Sequence, residues 1–323
     1  MQQHGRKLEP PDPVGKPVAL RVSSAELSLP LSLDSGQAFR WQPLATGAWF
    51  GFLDGHPTWL RHENDTLQAW GWPAPPRAAR LREYLDLERP LASILATFPT
   101  GRGPLAAAVV RCRGLRILRQ PAWETLASFI AGSNKRIDQT RGAIERLCTA
   151  FGRPFDLPGG RGRAHAFPAA GPIADAGELA LRRLGLGYRA PYLLATARAA
   201  ASGTLDLNRP ASLPYEEARA YLMQLPGVGP KVADCVLLFA YDRQEAFPID
   251  VWIERVLCRH YFPRPAPKPR ERRRFAQSRF GPYAGYAQQY LFHWARTGGL
   301  VQRAGRSPAA VAAGARAACT RRA

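Results

Sequence analysis

The chain has 323 residues, with 45 Lys and Arg against 25 Asp and Glu, a formal charge of +20. With 46% hydrophobic and 22% charged residues it can build two or three modest cores, which excludes disorder throughout. The longest unbroken apolar run, Cys235 to Ala240, falls far short of the roughly 20 residues of a membrane span, and the polar start Met1 to Pro13 carries no secretory signature, so a cytoplasmic protein is expected.

Residues 1–16 and 303–323 lack the aromatic anchors needed to order, and are expected to be tails. From Val18 to Ala69, short runs holding Trp41, Trp49, Phe50, Phe52, Trp59 and Leu60 alternate with turn signals at Asp34-Ser35-Gly36, Thr46-Gly47, Asp54-Gly55 and Glu63-Asn64-Asp65. That pattern predicts an antiparallel sheet with hairpins, Asp54-Gly55 being the strongest turn. After the break at Pro73 to Pro76, spacing of three and four takes over. Leu81 to Leu85, Leu91 to Phe98, Trp123 to Ile130, Ile144 to Phe151, Leu179-Leu181-Leu184 and Tyr192 to Ala197 each predict a helix with one apolar face. The expected organisation is a sheet domain over 17–112 and a helical domain over 113–302.

Five cysteines, at 112, 148, 235, 258 and 319, stand too far apart for a disulfide framework or a close-set metal or iron–sulfur run, so reduced thiols and no metal are expected. Lysine occurs only at 7, 16, 135, 231 and 268, leaving 45 − 5 = 40 arginines. The excess positive charge attracts polyanions, nucleic acid first among them. Lys231 is notable because it lies in an otherwise apolar segment, and an amine nucleophile is something lysine can supply and arginine cannot.

The segment from Pro214 to Val256 carries the chemistry. Pro214-Tyr215-Glu216-Glu217 opens a helix running to about Leu225, and Pro226-Gly227-Val228-Gly229-Pro230 interrupts it before a second helix from Lys231 to Tyr241. A helix, tight glycine hairpin and helix present backbone amides and a helix N-terminus, a seat for phosphate. A lone Gly-x-Gly is ordinarily just a tight corner. Here Lys231 and Cys235 share a helix face, and nineteen residues past the lysine Asp250 stands at the expected N-cap of another helix. Each has an ordinary reading as a solvated lysine or a cap, but together they offer a nucleophile and a carboxylate beside a phosphate seat.

Leu225-Pro226-Gly227-Val228-Gly229-Pro230-Lys231 followed by Pro248-Ile249-Asp250 resembles the helix-hairpin-helix, Gly/Pro-rich, aspartate superfamily of base-excision DNA glycosylases. Four more segments resemble its 8-oxoguanine DNA glycosylase branch: Ser35 to Trp41, Ser128 to Asn134, Leu184 to Ala190, and Phe280 to Gln288. They fall in family order across about residues 20–300. The resemblance implies an α+β fold, a twisted antiparallel sheet like that of TATA-binding protein packed on a two-lobed helical domain. It implies a bifunctional glycosylase and lyase acting as a monomer on duplex DNA containing oxidised guanine, with no cofactor and no membrane partner. The compartment would be that of the DNA, a bacterial nucleoid or a nucleus.

By the same resemblance Lys231 would attack C1′ and Asp250 would stabilise the cationic transition state. Tyr188 would wedge into the duplex, Asn134 and Arg189 would contact the orphaned cytosine, and Gly227, Val228 and Gly229 would grip phosphate. Cys235 and Phe292 would sandwich the everted base, Gln288 would read its Watson–Crick edge, and the carbonyl of Gly36 would accept from the N7 proton that oxidised guanine has and guanine lacks. The sequence departs from the family at Trp252, where animal and yeast members have histidine, and at Gln139, where a second cytosine-contacting arginine is usual; Arg136 and Arg141 stand nearby as substitutes. Two other readings compete. A monofunctional alkylpurine glycosylase would lack the lysine, and a non-catalytic hairpin protein would need neither Lys231 nor Asp250.

Overall fold

The computed structural model describes residues 16–262 and 267–300. The expected tails lie outside the described residues, Lys16 apart. The first part of the chain forms β1 (Val18–Arg21), α1 (Leu29–Leu33), β2 (Gln42–Pro43), β3 (Trp49–Leu53), β4 (His56–Glu63) and β5 (Thr66–Gly71). The five strands make one antiparallel sheet in the order β1-β5-β4-β3-β2. At the β3–β4 hairpin Leu53 pairs with His56, and Asp54 and Gly55 have φ of 49° and 75°. Two consecutive positive φ angles make the tight turn whose twist matches its strands, which is why Asp-Gly sits there. Asn64 and Asp65 repeat it between β4 and β5, with φ of 48° and 54°.

The sheet is covered on both faces because its apolar residues do not simply alternate with polar ones. Trp49, Leu53, Leu60, Leu67 and Ala69 pack against Leu81, Tyr84 and Leu85 of α2 (Ala78–Tyr84) and the residue after it. Phe50, Phe52 and Trp59 face the other way. Beyond α3 (Leu91–Ala96), α4 (Pro104–Arg111), α5 (Ala122–Ala131) and α6 (Ile137–Phe151), the chain forms a small hairpin of β6 (Pro154–Asp156) and β7 (Arg163–His165). Leu157, Ala164 and Ala166 of that hairpin region cover this second face.

The rest is helical: α7 (Ala170–Leu181), α8 (Ala190–Ala201), α9 (Arg209–Ser212), α10 (Tyr215–Leu222), α11 (Pro230–Tyr241), α12 (Val251–His260), α13 (Pro269–Phe280) and α14 (Ala284–Trp294). Helix α11 runs through the middle of the main core and buries every residue from Val232 to Phe239. Helices α3 and α4 and the segment between them join that core through Leu91, Ile94, Phe98, Leu105 and Ala108, so packing runs across the boundary expected at residue 112. The expected apolar face Leu179-Leu181-Leu184 is only partly realised. The backbone kinks at Gly177 (φ 76°, ψ 167°), and beyond it Leu179 and Leu181, two residues apart, fall on opposite sides of the helix, so Leu179 is 62% exposed while Leu181 is buried.

A buried ion network joins the N-terminal part to the helices. Asp86 accepts from Arg89, Arg119 and the Tyr286 hydroxyl, while Asp242, the left-handed C-cap of α11, accepts from the same two arginines at 2.7 and 2.8 Å. Asp86 is the dry member, so removing an arginine leaves its charge buried, while Arg89, Arg119 and Asp242 stay partly hydrated and lose less when a partner goes. The network fixes the C-terminal end of α11.

Candidate active site

The glycine hairpin lies between α10 and α11. Val228 N–H donates to Leu225 O at 3.1 Å to close the turn, Gly229 is the N-cap of α11, and Pro230 takes its first position. The two glycines differ in role. Gly227 has φ of 76°, and a Cβ there would stand 2.5 Å from Cδ2 of Tyr192; a Cβ on Gly229 would meet nothing within 4 Å. Gly227 therefore seats the hairpin on α8, while Gly229 keeps the helix N-terminus open to an incoming anion. Behind the hairpin, buried Asp234 accepts from Arg219 Nε at 2.7 Å and from the Tyr215 hydroxyl at 2.9 Å, locking α10 to α11. Burial raises the Asp234 carboxyl, and Arg219 opposes the rise.

The first turn of α11 carries Lys231, half-buried, with Nζ 4.7 Å from the centre of the Phe129 ring and Cys235 one turn further along the same helix. Phe129 is itself held by the edge of Phe39 at 5.4 Å and by stacking on Phe239 at 5.7 Å. Burial pushes the Cys235 thiol up to about 11, against the pull of Lys231, so at neutral pH it is a protonated, apolar wall.

Asp250 is the N-cap of α12: its Oδ1 accepts from Ile253 N–H at 2.9 Å. Burial raises its carboxyl above the ordinary carboxylate range; the Ile253 amide, the Lys231 ammonium and the Trp252 amide pull the other way. The lysine thus lies close enough for its charge to act on the carboxylate, and both line one cavity of about 1090 Å³. Gly36, Cys235, Gln288 and Phe292 line the same cavity. Gln288 donates through Nε2 to Pro248 O at 3.0 Å, while its buried Oε1 has no partner. Gly36 has φ of 82°, and a Cβ there would stand 2.7 Å from Ile137 Cδ1 and 3.3 Å from Phe292 Cε1, so any side chain would intrude on the ring beside it. Gln289 holds this loop by donating to Ser35 O at 3.0 Å.

The residues expected at the duplex lie at the cavity mouth or beyond it. Asn134, Gly227 and Gly229 border the cavity, and Val228 is buried beneath the hairpin. Tyr188 projects with 49% of its surface exposed and accepts from Asn134 Nδ2 at 3.2 Å. Arg189 is buried instead of reaching outward: Nε donates to Ser133 O at 2.5 Å and the guanidinium lies 4.1 Å over the Tyr188 ring. Gln139 accepts from Arg136 N–H at 3.3 Å as part of the α6 cap, Arg136 pairs with Asp138 at 3.0 Å, and Arg141 pairs with Asp34. Among the lining residues that the sequence does not mark as site residues are Phe39, Phe129 and Ile137. Two of them lie inside segments that carry the family resemblance, so position was the available signal. Trp252 also lines the cavity, with Arg255 5.2 Å over its ring.

A glycine hairpin feeding a lysine-bearing helix, followed by an aspartate-capped helix across the same cavity, defines the HhH-GPD class, and residues 127–282 match the family model described as HhH-GPD superfamily base excision DNA repair protein. Residues 19–126 match the 8-oxoguanine DNA glycosylase N-terminal domain. The chain belongs to the 8-oxoguanine DNA glycosylase family. The N-glycosylase/DNA lyase OGG1 of Arabidopsis thaliana is 30% identical over 288 residues, 84% of this chain and 78% of the relative. The N-glycosylase/DNA lyase of Saccharomyces cerevisiae is 33% identical over 274 residues, covering 75% of this chain and 70% of the yeast protein. Among solved structures, the 8-oxoguanine glycosylase/lyase of Clostridium acetobutylicum, in complex with duplex DNA containing cytosine opposite 8-oxoguanine, superposes with a TM-score of 0.80 at 29% identity over 88% of this chain and 96% of that one. Among the described residues no helix is long and apolar enough to cross a membrane.

Proposed function

We propose that this protein excises 8-oxoguanine from duplex DNA and then nicks the strand through a lysine Schiff base. The observation that carries the reading is that Lys231 and Asp250, from successive helices, share one cavity with Cys235, Gln288 and Phe292. A base cannot be attacked inside the stack, so the cavity receives it everted. Phe292 and the neutral Cys235 thiol offer it apolar contact, and the unpaired Oε1 of Gln288 offers an acceptor to its Watson–Crick edge.

Breaking the bond between C1′ and the base develops positive charge on the sugar, which the Asp250 carboxylate stabilises. The base leaves with the bonding electron pair and takes up a proton. Lys231 gives up one ammonium proton, which the departing base takes up; the amine so freed bonds to C1′, and passage of a proton from its nitrogen to O4′ opens the ring and gives the Schiff base. Loss of a C2′ proton then expels the 3′ phosphate and cleaves the strand. The Gly36 carbonyl favours the lesion because an acceptor facing the N7 lone pair of guanine costs about 1–3 kcal/mol.

Asn134 and Arg189 serve the orphaned cytosine once Tyr188 has entered the duplex. Gln139, engaged in capping α6, offers no guanidinium there, and the arginines near it are paired with Asp138 and Asp34. Preference for cytosine is accordingly expected to be weaker than with two arginines. The decisive experiment is borohydride trapping on an 8-oxoguanine duplex: the protein becomes covalently attached, and Lys231→Gln abolishes attachment while keeping duplex affinity. A parent that releases base without trapping would point to a water nucleophile and overturn the lyase assignment.

A further inference from the structure

Four polar contacts fasten the turn that bears Tyr188 to its neighbours, three to the segment between α5 and α6 and one to α6 itself. Two use residues already assigned to DNA, Asn134 to the Tyr188 hydroxyl and Arg189 to Ser133 O. The other two do not. Lys135 Nζ donates to Gly185 O at 2.7 Å, and Arg146 Nε donates to Leu184 O at 2.8 Å. Neither cation has a carboxylate partner among the described residues.

The turn explains why cations settle there. Helix α7 ends at Leu181 and is continued by a wider turn over Arg182–Leu186, with Gly185 at φ of 85°. Carbonyls beyond a helix C-terminus lose their helical donors and carry partial negative charge, and lysine and arginine satisfy both needs. Three cations, Lys135, Arg146 and Arg189, crowd this one turn; burial foremost, and then the two guanidiniums, lower the Lys135 ammonium. Such crowding is relieved when a phosphate backbone approaches.

We propose that Lys135 is a positioning residue for base eversion, with Arg146 as a second strap: together they hold the Tyr188 turn in register with Asn134, so that wedging and capture of the orphaned base occur as one motion. The inference rests on the assignment of Tyr188 as the wedge. Without the straps the turn keeps only the Asn134–Tyr188 and Arg189–Ser133 contacts and can bend at Gly185 and Gly187, both at positive φ, so the ring enters the stack from a range of depths.

Single-turnover excision from an 8-oxoguanine duplex tests this, beside strand cleavage of a single-stranded abasic oligonucleotide, which has no stack to open. Lys135→Met should lower duplex excision about fivefold, leave single-strand cleavage within about twofold of the parent, and reduce the fluorescence rise of a 2-aminopurine placed beside the lesion. Lys135→Arg, which keeps the donor, should restore all three. Unchanged duplex excision in Lys135→Met, or a parallel fall of both activities, overturns the proposal, the second showing a merely structural role. Tyr188→Ala is run alongside: if it leaves duplex excision intact, the wedge assignment itself fails and the strap falls with it. If Tyr188→Ala abolishes excision and Lys135→Met does not affect it, the strap alone is wrong.

Discussion

Asp250 is asked to do two things that can be separated by substitution. Its Oδ1 caps α12 through Ile253 N–H, and its charge faces the sugar. Asp250→Asn keeps a cap acceptor and removes the charge; Asp250→Ala removes both. Loss of an N-cap costs about 1 kcal/mol, so the alanine variant should melt about 1–2 °C below the asparagine variant in a chain of this size. The charge itself has the opposite effect on stability. Burial holds the folded-state pKa above that of the unfolded chain, so the favourable contribution is complete below the unfolded pKa and is lost as pH rises through the folded one. At neutral pH the ionised carboxylate therefore costs stability, and Asp250→Asn should melt at or above the parent.

The effect on rate is larger. A carboxylate about 4 Å from a developing unit charge, at an effective dielectric constant near 20, stabilises it by roughly 4 kcal/mol, about a thousandfold in rate. Single-turnover base release should fall by that order in both variants. In the parent it should decline with acid as pH drops through the raised pKa of Asp250, at a higher pH than an ordinary carboxylate would give. Near-parental base release in Asp250→Asn, or an acid limb in the ordinary carboxylate range, would refute the reasoning.

The remaining predictions concern the hairpin and the recognition loop. Gly227→Ala imposes a positive φ on a side chain whose Cβ meets the Tyr192 ring, so duplex affinity should drop about tenfold with little loss of single-strand cleavage, measured by fluorescence anisotropy. Arg219→Leu leaves Asp234 buried without its cation, costing about 3–5 kcal/mol and lowering Tm by about 5–8 °C; a change under 2 °C in calorimetry would show the pair to be idle. Gly36→Ala drives a methyl toward Ile137 and Phe292, and excision of 8-oxoguanine should fall at least tenfold while trapping on abasic DNA persists.

Local chemistry made much of this protein legible in advance. Asp54-Gly55 specifies its hairpin because two positive φ angles are needed in succession, and Pro230 after Gly229 starts a helix because proline suits its first position. Asp250 was recognisable as a cap because a short acceptor before an apolar run satisfies free amides. Where a chain property depended on distant partners, the reading was incomplete. Leu179 and Leu181, two residues apart, lie on opposite sides of their helix, and only the packing of the core decides that Leu181 faces inward and Leu179 outward.

Spacing and composition determined the helix–hairpin–helix, the lysine on its second helix, the capping aspartate and the antiparallel sheet, since each rests on interactions within a few residues of chain. Only the tertiary structure decided that Phe39, Phe129 and Ile137 wall the cavity, that Arg189 lies folded beneath Tyr188, and that Gln139 is spent on a helix cap. Those outcomes depend on which segments meet across many intervening residues, and packing between them is fixed by shape and burial summed over the whole core, which no short stretch of sequence encodes.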